Sequence, residues 1–347
     1  MRLAVKRNIT NCTIIRDVRR RSRYVPEGYA MIDRYNRNIN YMRVSVTEQC
    51  NLRCRYCMPE NGGCRSAAEE LLTEDEIVTA VGAAAKLGIT KIRITGGEPL
   101  IKSNIVSICK RIAETDGISE LCLTTNGMLL PRFAGELKKA GVKRVNISLD
   151  TLDQEKFRCI SRGGELSKTL DGIAAALNAG FEKVKINTVL IGGFNDNEAE
   201  RLAQLSVKYP VDVRFIELMP MYDSGDFDSE AFIPCTRVLE KLPQAQELPP
   251  DGGVARLYRL PGAKGNIGLI SPVSAHFCSS CSRIRLTADG KLKPCLHSGD
   301  EYSVKGLDSE GMERVLREAI MAKPSWHGAL SASARSRSGR DMNRIGG

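Results

Sequence analysis

From residue 43 onward, apolar and polar positions alternate in short runs, each followed by a Gly- or Cys-rich turn and a segment of helical periodicity. The runs RVSVT (43–47), KIRIT (91–95), ELCLT (120–124), KRVNISL (143–149), KVKINTVL (183–190) and VDVRFIEL (211–218) read as strands. The clearest helix between them starts at Thr73, with Glu76 completing a capping box, and stops at Gly88. Others open at Ser103, Ser167 and Asn197. Strands alternating with helices imply a parallel sheet. Six units without a seventh predict an α/β fold, a partial (β/α)6 TIM-like barrel.

After Pro220 the pattern changes. Turn formers fill 221–265, strand-like pieces follow at 256–260, 266–271 and 283–287, and a helix is expected over 308–322. The chain therefore divides into an N-terminal extension (1–32), the barrel (33–220), a C-terminal region (221–330) and a flexible tail (331–347), the last expected to lack regular structure.

The strand faces carry the first functional signal. With Ile92 and Ile94 packed on the helices, Lys91, Arg93 and Thr95 must face the barrel interior. The same alternation sends Arg43, Ser45, Thr47, Asn146, Ser148, Asp150, Lys185, Asn187, Asp212 and Arg214 inward. Ordinary barrels fill that space with Val, Ile and Leu. Cations in excess there imply water or a bound polyanion, because unpaired buried charge is costly.

Charge and cysteine content sharpen this. The 347 residues hold 51 Lys and Arg against 41 Asp and Glu, a net +10 that favours an anionic partner. At 5% aromatic content there is no stacking platform for single-stranded nucleic acid, so a nucleic-acid partner is not expected. No apolar run is long enough for a membrane helix, so no membrane is expected either. The basic first residues lack the apolar core of a secretion signal, and a cytoplasmic location is expected. The 12 cysteines are too few for a disulfide scaffold; two tight triplets among scattered singles suggest metal chemistry in a reducing compartment.

The first triplet is Cys50, Cys54 and Cys57, directly after the first strand. Three thiolates leave one corner of a four-iron cluster open, and no nearby His completes a zinc site. The second is Cys278, Cys281 and Cys295, flanked by His276 and His297, so a Cys3His zinc ribbon stands beside an iron–sulfur cluster as an alternative. About 220 residues apart in sequence, the triplets are expected to assemble in separate parts of the molecule. Arg283-Ile284-Arg285 places two guanidiniums on one strand face, a grip suited to phosphate or purine acceptors. The terminal Gly346-Gly347 reads as a frayed end, or as a segment able to thread where side chains cannot.

The Cys-x3-Cys-x2-Cys run with Tyr56 before its last cysteine resembles the radical S-adenosylmethionine (radical SAM) superfamily. Gly96-Gly97-Glu98-Pro99 resembles that superfamily's SAM-binding segment, and TTNG (124–127), SLD (148–150) and FIELMP (215–220) fall where further cofactor contacts are expected. Both cysteine triplets together with the Gly-Gly end resemble the GTP 3',8-cyclase family of molybdenum cofactor biosynthesis, from about Asp33 to Gly347. The departures are residues 1–32, the short Asn61–Glu70 loop with its extra Cys64, and Gly193-Phe194.

The resemblance implies a lyase using SAM and two [4Fe–4S] clusters, one on Cys50, Cys54 and Cys57, the other on Cys278, Cys281 and Cys295 in the C-terminal extension. It implies SAM contacts at Tyr56, Gly97, Ser148 and Met219. GTP contacts are implied at Arg43, Arg93, Thr124, Lys185, Arg283, Ile284 and Arg285, with Gly346 and Gly347 assisting catalysis. The implied reaction begins with removal of the ribose 3' hydrogen of GTP by a 5'-deoxyadenosyl radical and ends at 3',8-cyclo-7,8-dihydro-GTP. Implied partners are a reductant such as flavodoxin or ferredoxin and a downstream cyclic pyranopterin monophosphate synthase; a homodimer is compatible. A peptide-modifying radical SAM maturase would fit the cysteines but not the inward cations, and a zinc or RNA-binding protein would leave the GGEP segment unexplained.

Overall fold

The computed structural model describes residues 30–346 except 63–65, 222–228 and 332–333, so most of the N-terminal extension, Cys64 and Gly347 lie outside the described residues. All six predicted barrel strands form: β1 Tyr41–Ser45, β2 Lys91–Thr95, β3 Glu120–Thr125, β4 Arg144–Ser148, β5 Lys183–Leu190 and β6 Val211–Glu217. They pair in parallel, in chain order. Helix α1 Glu74–Lys86 starts at the predicted capping box, Thr73 accepting from the Glu76 amide while Glu76 accepts from the Thr73 amide. Helix α2 is Ile105–Glu114. Between the predicted helices lie two that periodicity did not single out, α3 Leu130–Lys139 and α4 Gln154–Ser161. Helix α3 opens without a side-chain cap, and α4, of 8 residues, is too short for a clear helical rhythm although Asp153 caps it through the amides of Glu155 and Lys156. Helices α5 Leu166–Asn178 and α6 Ala199–Lys208 complete the set around the barrel strands.

The strand faces divide as their alternation dictates. Met42, Val44, Ile92, Ile94, Leu121, Leu123, Val145, Ile147, Val184 and Ile186 join the helix-side core. Cys122, between Leu121 and Leu123, is buried but outside that core.

The C-terminal region extends the same sheet. Helix α7 Arg237–Lys241 leads into β7 Gln246–Leu248, β8 Arg256–Arg259 and β9 Ile267–Ile270, and β9 pairs in parallel with β6. At the other edge β10 Arg283–Leu286 pairs in parallel with β1, followed by β11 Lys291–Lys293 and β12 Tyr302–Ser303. One 12-stranded sheet results, in the order β12-β11-β10-β1-β2-β3-β4-β5-β6-β9-β8-β7. The reason is hydrogen bonding: an open parallel sheet leaves unpaired backbone groups along β1 and β6, and the C-terminal strands satisfy both edges. Helix α8 Ser309–Met321, capped by Asp308, matches its expectation. The tail departs from its own. It forms a 3-10 turn at Met342–Arg344, and Ile345 is only 1% exposed.

Candidate active site

The first cysteine loop follows β1 and is locked to the loop after β2. The Gly97 amide donates to Thr47 O and the Glu98 amide to Gln49 O, both at 2.8 Å. A Cβ on Gly97 would stand 2.2 Å from Gln49 O, so only glycine permits this approach. Glu98 is fully buried and accepts from the Leu100 amide, the Thr125 hydroxyl and the Asn126 amide at 2.7–3.0 Å. Asn126 in turn donates to Asn51 Oδ1 at 2.7 Å, inside the cysteine loop. The GGEP and TTNG segments thus act as one brace. On the far side of the loop, Tyr56 donates to Asp150 Oδ2 at 2.8 Å, joining it to the end of β4.

Burial raises the Cys50 thiol to about 11 and the Cys54 and Cys57 thiols further, with Asp150 and the neighbouring sulfurs adding repulsion at both. Three thiolates here require a cationic core among them, which a metal cluster provides. The donor set fits an iron–sulfur cluster.

In the second triplet, Cys278 lies in a 3-10 turn before β10 and Cys295 follows β11. Arg37 donates to Cys278 O at 2.9 Å, and Lys323 to Arg283 O and Pro294 O, each at 2.9 Å. Burial opposes the Cys281 thiolate, but Lys323 and Arg283 outweigh it and hold the thiol below its ordinary range. His297 is occupied by Ser336 Oγ at 3.1 Å, and burial pushes it down to about 3, leaving it neutral. Among the described residues no three His, Cys, Asp or Glu side chains converge on one metal ion.

Strand register builds the polar interior. Arg43 lies opposite Arg285 on β10 and Arg93 on β2, giving the row Arg285–Arg43–Arg93 across three adjacent strands. A second row, Thr124–Asn146–Lys185–Asp212, crosses β3 to β6. Arg93 donates to Leu123 O at 3.1 Å and Thr124 Oγ1 at 3.4 Å. Lys185 stands 3.3 Å from Asp212, yet burial and nearby Arg214 pull its ammonium down to about 8. Burial, reinforced by Arg285 and other guanidiniums, also pushes Arg43 well below its ordinary value. The mutual repulsion of these cations favours a bound anion.

The tail enters between the two cysteine loops. Arg340 pairs with Asp289 at 2.8 Å and Glu301 at 2.6 Å, and Arg344 with Glu48 at 3.3 Å. Asn343 donates to Glu48 O at 3.0 Å, and the Met342 amide to Cys57 O at 3.0 Å. Gly346 O then accepts from both Arg43 and Arg285.

Thus Arg43, Arg93, Arg285, Thr124, Lys185 and Gly346 share the barrel interior. Arg283 packs over the Tyr41 ring, its Cζ 5.9 Å from the centroid, while Ile284, also predicted, is a buried core residue. Ser148 ends β4, and Met219 lies partly buried just past β6, near the end of the FIELMP segment. Sequence reasoning assigned no bracing role to the buried carboxylates Glu48, Glu98 and Glu217, the last two lying inside quoted motifs. Glu217 accepts from the amides of Cys235, Val273 and Ser274, fixing the loop before Cys278. Their one sequence signal is an acidic residue inside or beside a motif.

The Radical SAM superfamily profile matches residues 44–206, and that of Molybdenum Cofactor Synthesis C matches residues 211–328. The GTP 3',8-cyclase of Alkaliphilus oremlandii (strain OhILAs) is 48% identical over 323 residues, 91% of this chain and 100% of that protein. That of Peptoclostridium acidaminophilum is 47% identical over 91% of this chain and 98% of its own length. Among solved structures, Streptococcus suis SuiB bound to S-adenosylmethionine shares the fold, with a TM-score of 0.60 at 14% identity over 85% of this chain and 66% of that one. With two cysteine triplets on one sheet, an arginine row between them and full-length relatives at this identity, the chain belongs to the GTP 3',8-cyclase family of radical SAM enzymes.

Proposed function

We propose that the chain carries out the GTP 3',8-cyclase reaction, forming 3',8-cyclo-7,8-dihydro-GTP, with the site residues in the roles that follow. The observation that carries these roles is the Arg285–Arg43–Arg93 row, built by strand register on the polar face of the sheet. The enzyme is a lyase that uses SAM and two [4Fe–4S] clusters. Cys50, Cys54 and Cys57 hold one cluster; Cys278, Cys281 and Cys295 hold the other. When bound, the first cluster and SAM supply a 5'-deoxyadenosyl radical, the oxidant for the ribose 3' C–H bond.

The protein supplies place and charge. Gly97, Tyr56, Ser148 and Met219 border the SAM site. Arg43, Arg93, Lys185 and Arg285 take the triphosphate through charge-assisted hydrogen bonds, with Thr124 beside them. Phosphate next to Lys185 favours its charged form and offsets the burial that lowers it. Arg283 borders the second cluster and the base, while Ile284 packs into the core on the opposite face of β10. The tail, held through Glu48, Asp289 and Glu301, covers the mouth and excludes water from reactive species. Gly346 and Gly347 complete that cover, although Gly347 lies outside the described residues.

A one-electron carrier such as flavodoxin or ferredoxin is the reductant in this reading, and cyclic pyranopterin monophosphate synthase takes the product. A cytoplasmic setting belongs to this reading; none of the described helices is long and apolar enough to cross a membrane. The test is anaerobic reconstitution to about eight irons per chain, then reaction with SAM, GTP and a chemical reductant. Equal amounts of 5'-deoxyadenosine and cyclised nucleotide are expected. SAM cleavage that ignores GTP but responds to a peptide would overturn the reading in favour of a maturase.

A further inference from the structure

Tyr41 opens β1 and lies on the same strand face as Arg43, two residues on. Its register partners are Arg283 on β10 and Lys91 on β2. Arg93 Nε donates to the Tyr41 hydroxyl at 2.5 Å, while the other end of the same guanidinium is held by Leu123 O and Thr124 Oγ1. Lys91 Nζ lies 5.2 Å from the Tyr41 ring centroid and Arg283 Cζ 5.9 Å from it, both within cation–π range. One aromatic side chain therefore touches three cations from two flanking strands.

We propose that Tyr41 is a positioning residue for the substrate phosphates, its phenol oxygen aiming the Arg93 fork and setting the charge of the arginine row. The inference rests on the GTP-binding role given above to Arg93 and Arg43. A guanidinium anchored at Nε and at one terminal nitrogen keeps a defined edge for an anion, so less rotamer freedom is lost on binding. The groups facing Tyr41 are Arg43 on its own strand, Lys91 and Arg93 on β2, Cys122 on β3 and Arg283 and Arg285 on β10, with Glu120 reached through Lys91 at 2.9 Å. Burial by itself would raise the phenol, but Arg93, Arg43 and Arg283 outweigh it and bring it to about 8. Above that value a phenolate cancels one cation of the row and repels phosphate. GTP binding should therefore weaken as pH rises, through a group that never touches the reacting atoms.

The experiment compares reconstituted wild type with Tyr41→Phe, which keeps the ring and loses the oxygen. At pH 7 the variant should raise KM for GTP about tenfold, with kcat and SAM affinity within about twofold. Between pH 7 and 9 the wild-type KM should climb relative to the variant, whose ratio of KM at the two pH values reports the remaining titrations, those of Lys185 and of GTP. In an Arg93→Ala background, Tyr41→Phe should have no further effect on KM at pH 7, where the phenol is neutral. Parallel pH profiles, or an undiminished Tyr41→Phe effect in that background, would overturn the proposal. Should Tyr41→Phe not fold, wild type against Arg93→Ala decides: the bend near pH 8 must move to higher pH without Arg93, and an unmoved bend overturns it. A wild-type chain that does not turn over GTP instead overturns the functional reading on which the proposal rests.

Discussion

Arg43 and Gly346 meet in the barrel interior, 303 residues apart in the chain, the guanidinium giving Nε at 3.1 Å and Nη2 at 2.9 Å to one carbonyl oxygen. Arg285 adds a third bond to the same atom, also at 3.1 Å. The tail thus rests on two members of the row assigned to the substrate phosphates. Only glycine fits there, because φ is +73° and a Cβ would stand 2.4 Å from Thr95 Oγ1.

Gly346→Ala is therefore expected to displace the end of the tail while leaving the sheet intact. Turnover of GTP should fall by more than about tenfold, with the melting temperature unchanged because the clips at Arg340 and Arg344 remain. A parallel loss of melting temperature would show that the contact is structural.

The cysteine triplets should be separable in function although one sheet joins them. Cys50→Ala is expected to abolish 5'-deoxyadenosine formation, since two thiolates do not hold a site-differentiated cluster. Cys281→Ser should keep SAM binding and lose GTP conversion. Both are measured on the same anaerobically reconstituted samples, by product chromatography and by the low-temperature signal of the reduced first cluster. Loss of that signal in Cys281→Ser would show the two sites to be interdependent.

Lys185→Ala tests the anionic part of the substrate. Removing one charge-assisted phosphate contact should weaken GTP roughly ten- to a hundredfold. Guanosine, which lacks phosphates, should respond far less. If Lys185 merely balances Asp212, stability changes and the GTP-to-guanosine affinity ratio does not.

Glu98 links the brace of the first cysteine loop to pH. Burial raises its carboxyl from 4.5 to about 7, against the three hydrogen bonds that lower it. A raised folded-state value means that the stabilisation is complete below about 4.5 and is lost as pH rises through about 7. Wild-type stability should accordingly carry a downward slope between those values that Glu98→Gln lacks. Denaturant midpoints across that range measure it, and equal slopes would remove the assignment.

What the sequence determined by itself was local. Period-two alternation placed Arg43, Arg93, Asn146 and Lys185 on the polar strand face, because the pleat leaves no other arrangement once Ile92, Ile94 and Ile186 are buried. The capping box placed α1, and cysteine spacing marked both triplets. What only the tertiary structure decided was which of these residues are neighbours. Arg285 joins the row because β10 pairs with β1, a match made across roughly 240 residues by backbone groups that carry no side-chain signature. Glu98 and Glu217 accept mainly from backbone amides, which leave no mark in the sequence, and Glu48 from the Ser66 amide and hydroxyl and from Arg344 of the tail. Serine, arginine and glycine have no periodicity, so the composition of the tail leaves both fraying and threading open. Its order comes from Arg340 and Arg344 finding Asp289, Glu301 and Glu48, and those carboxylates come together only when the sheet is complete.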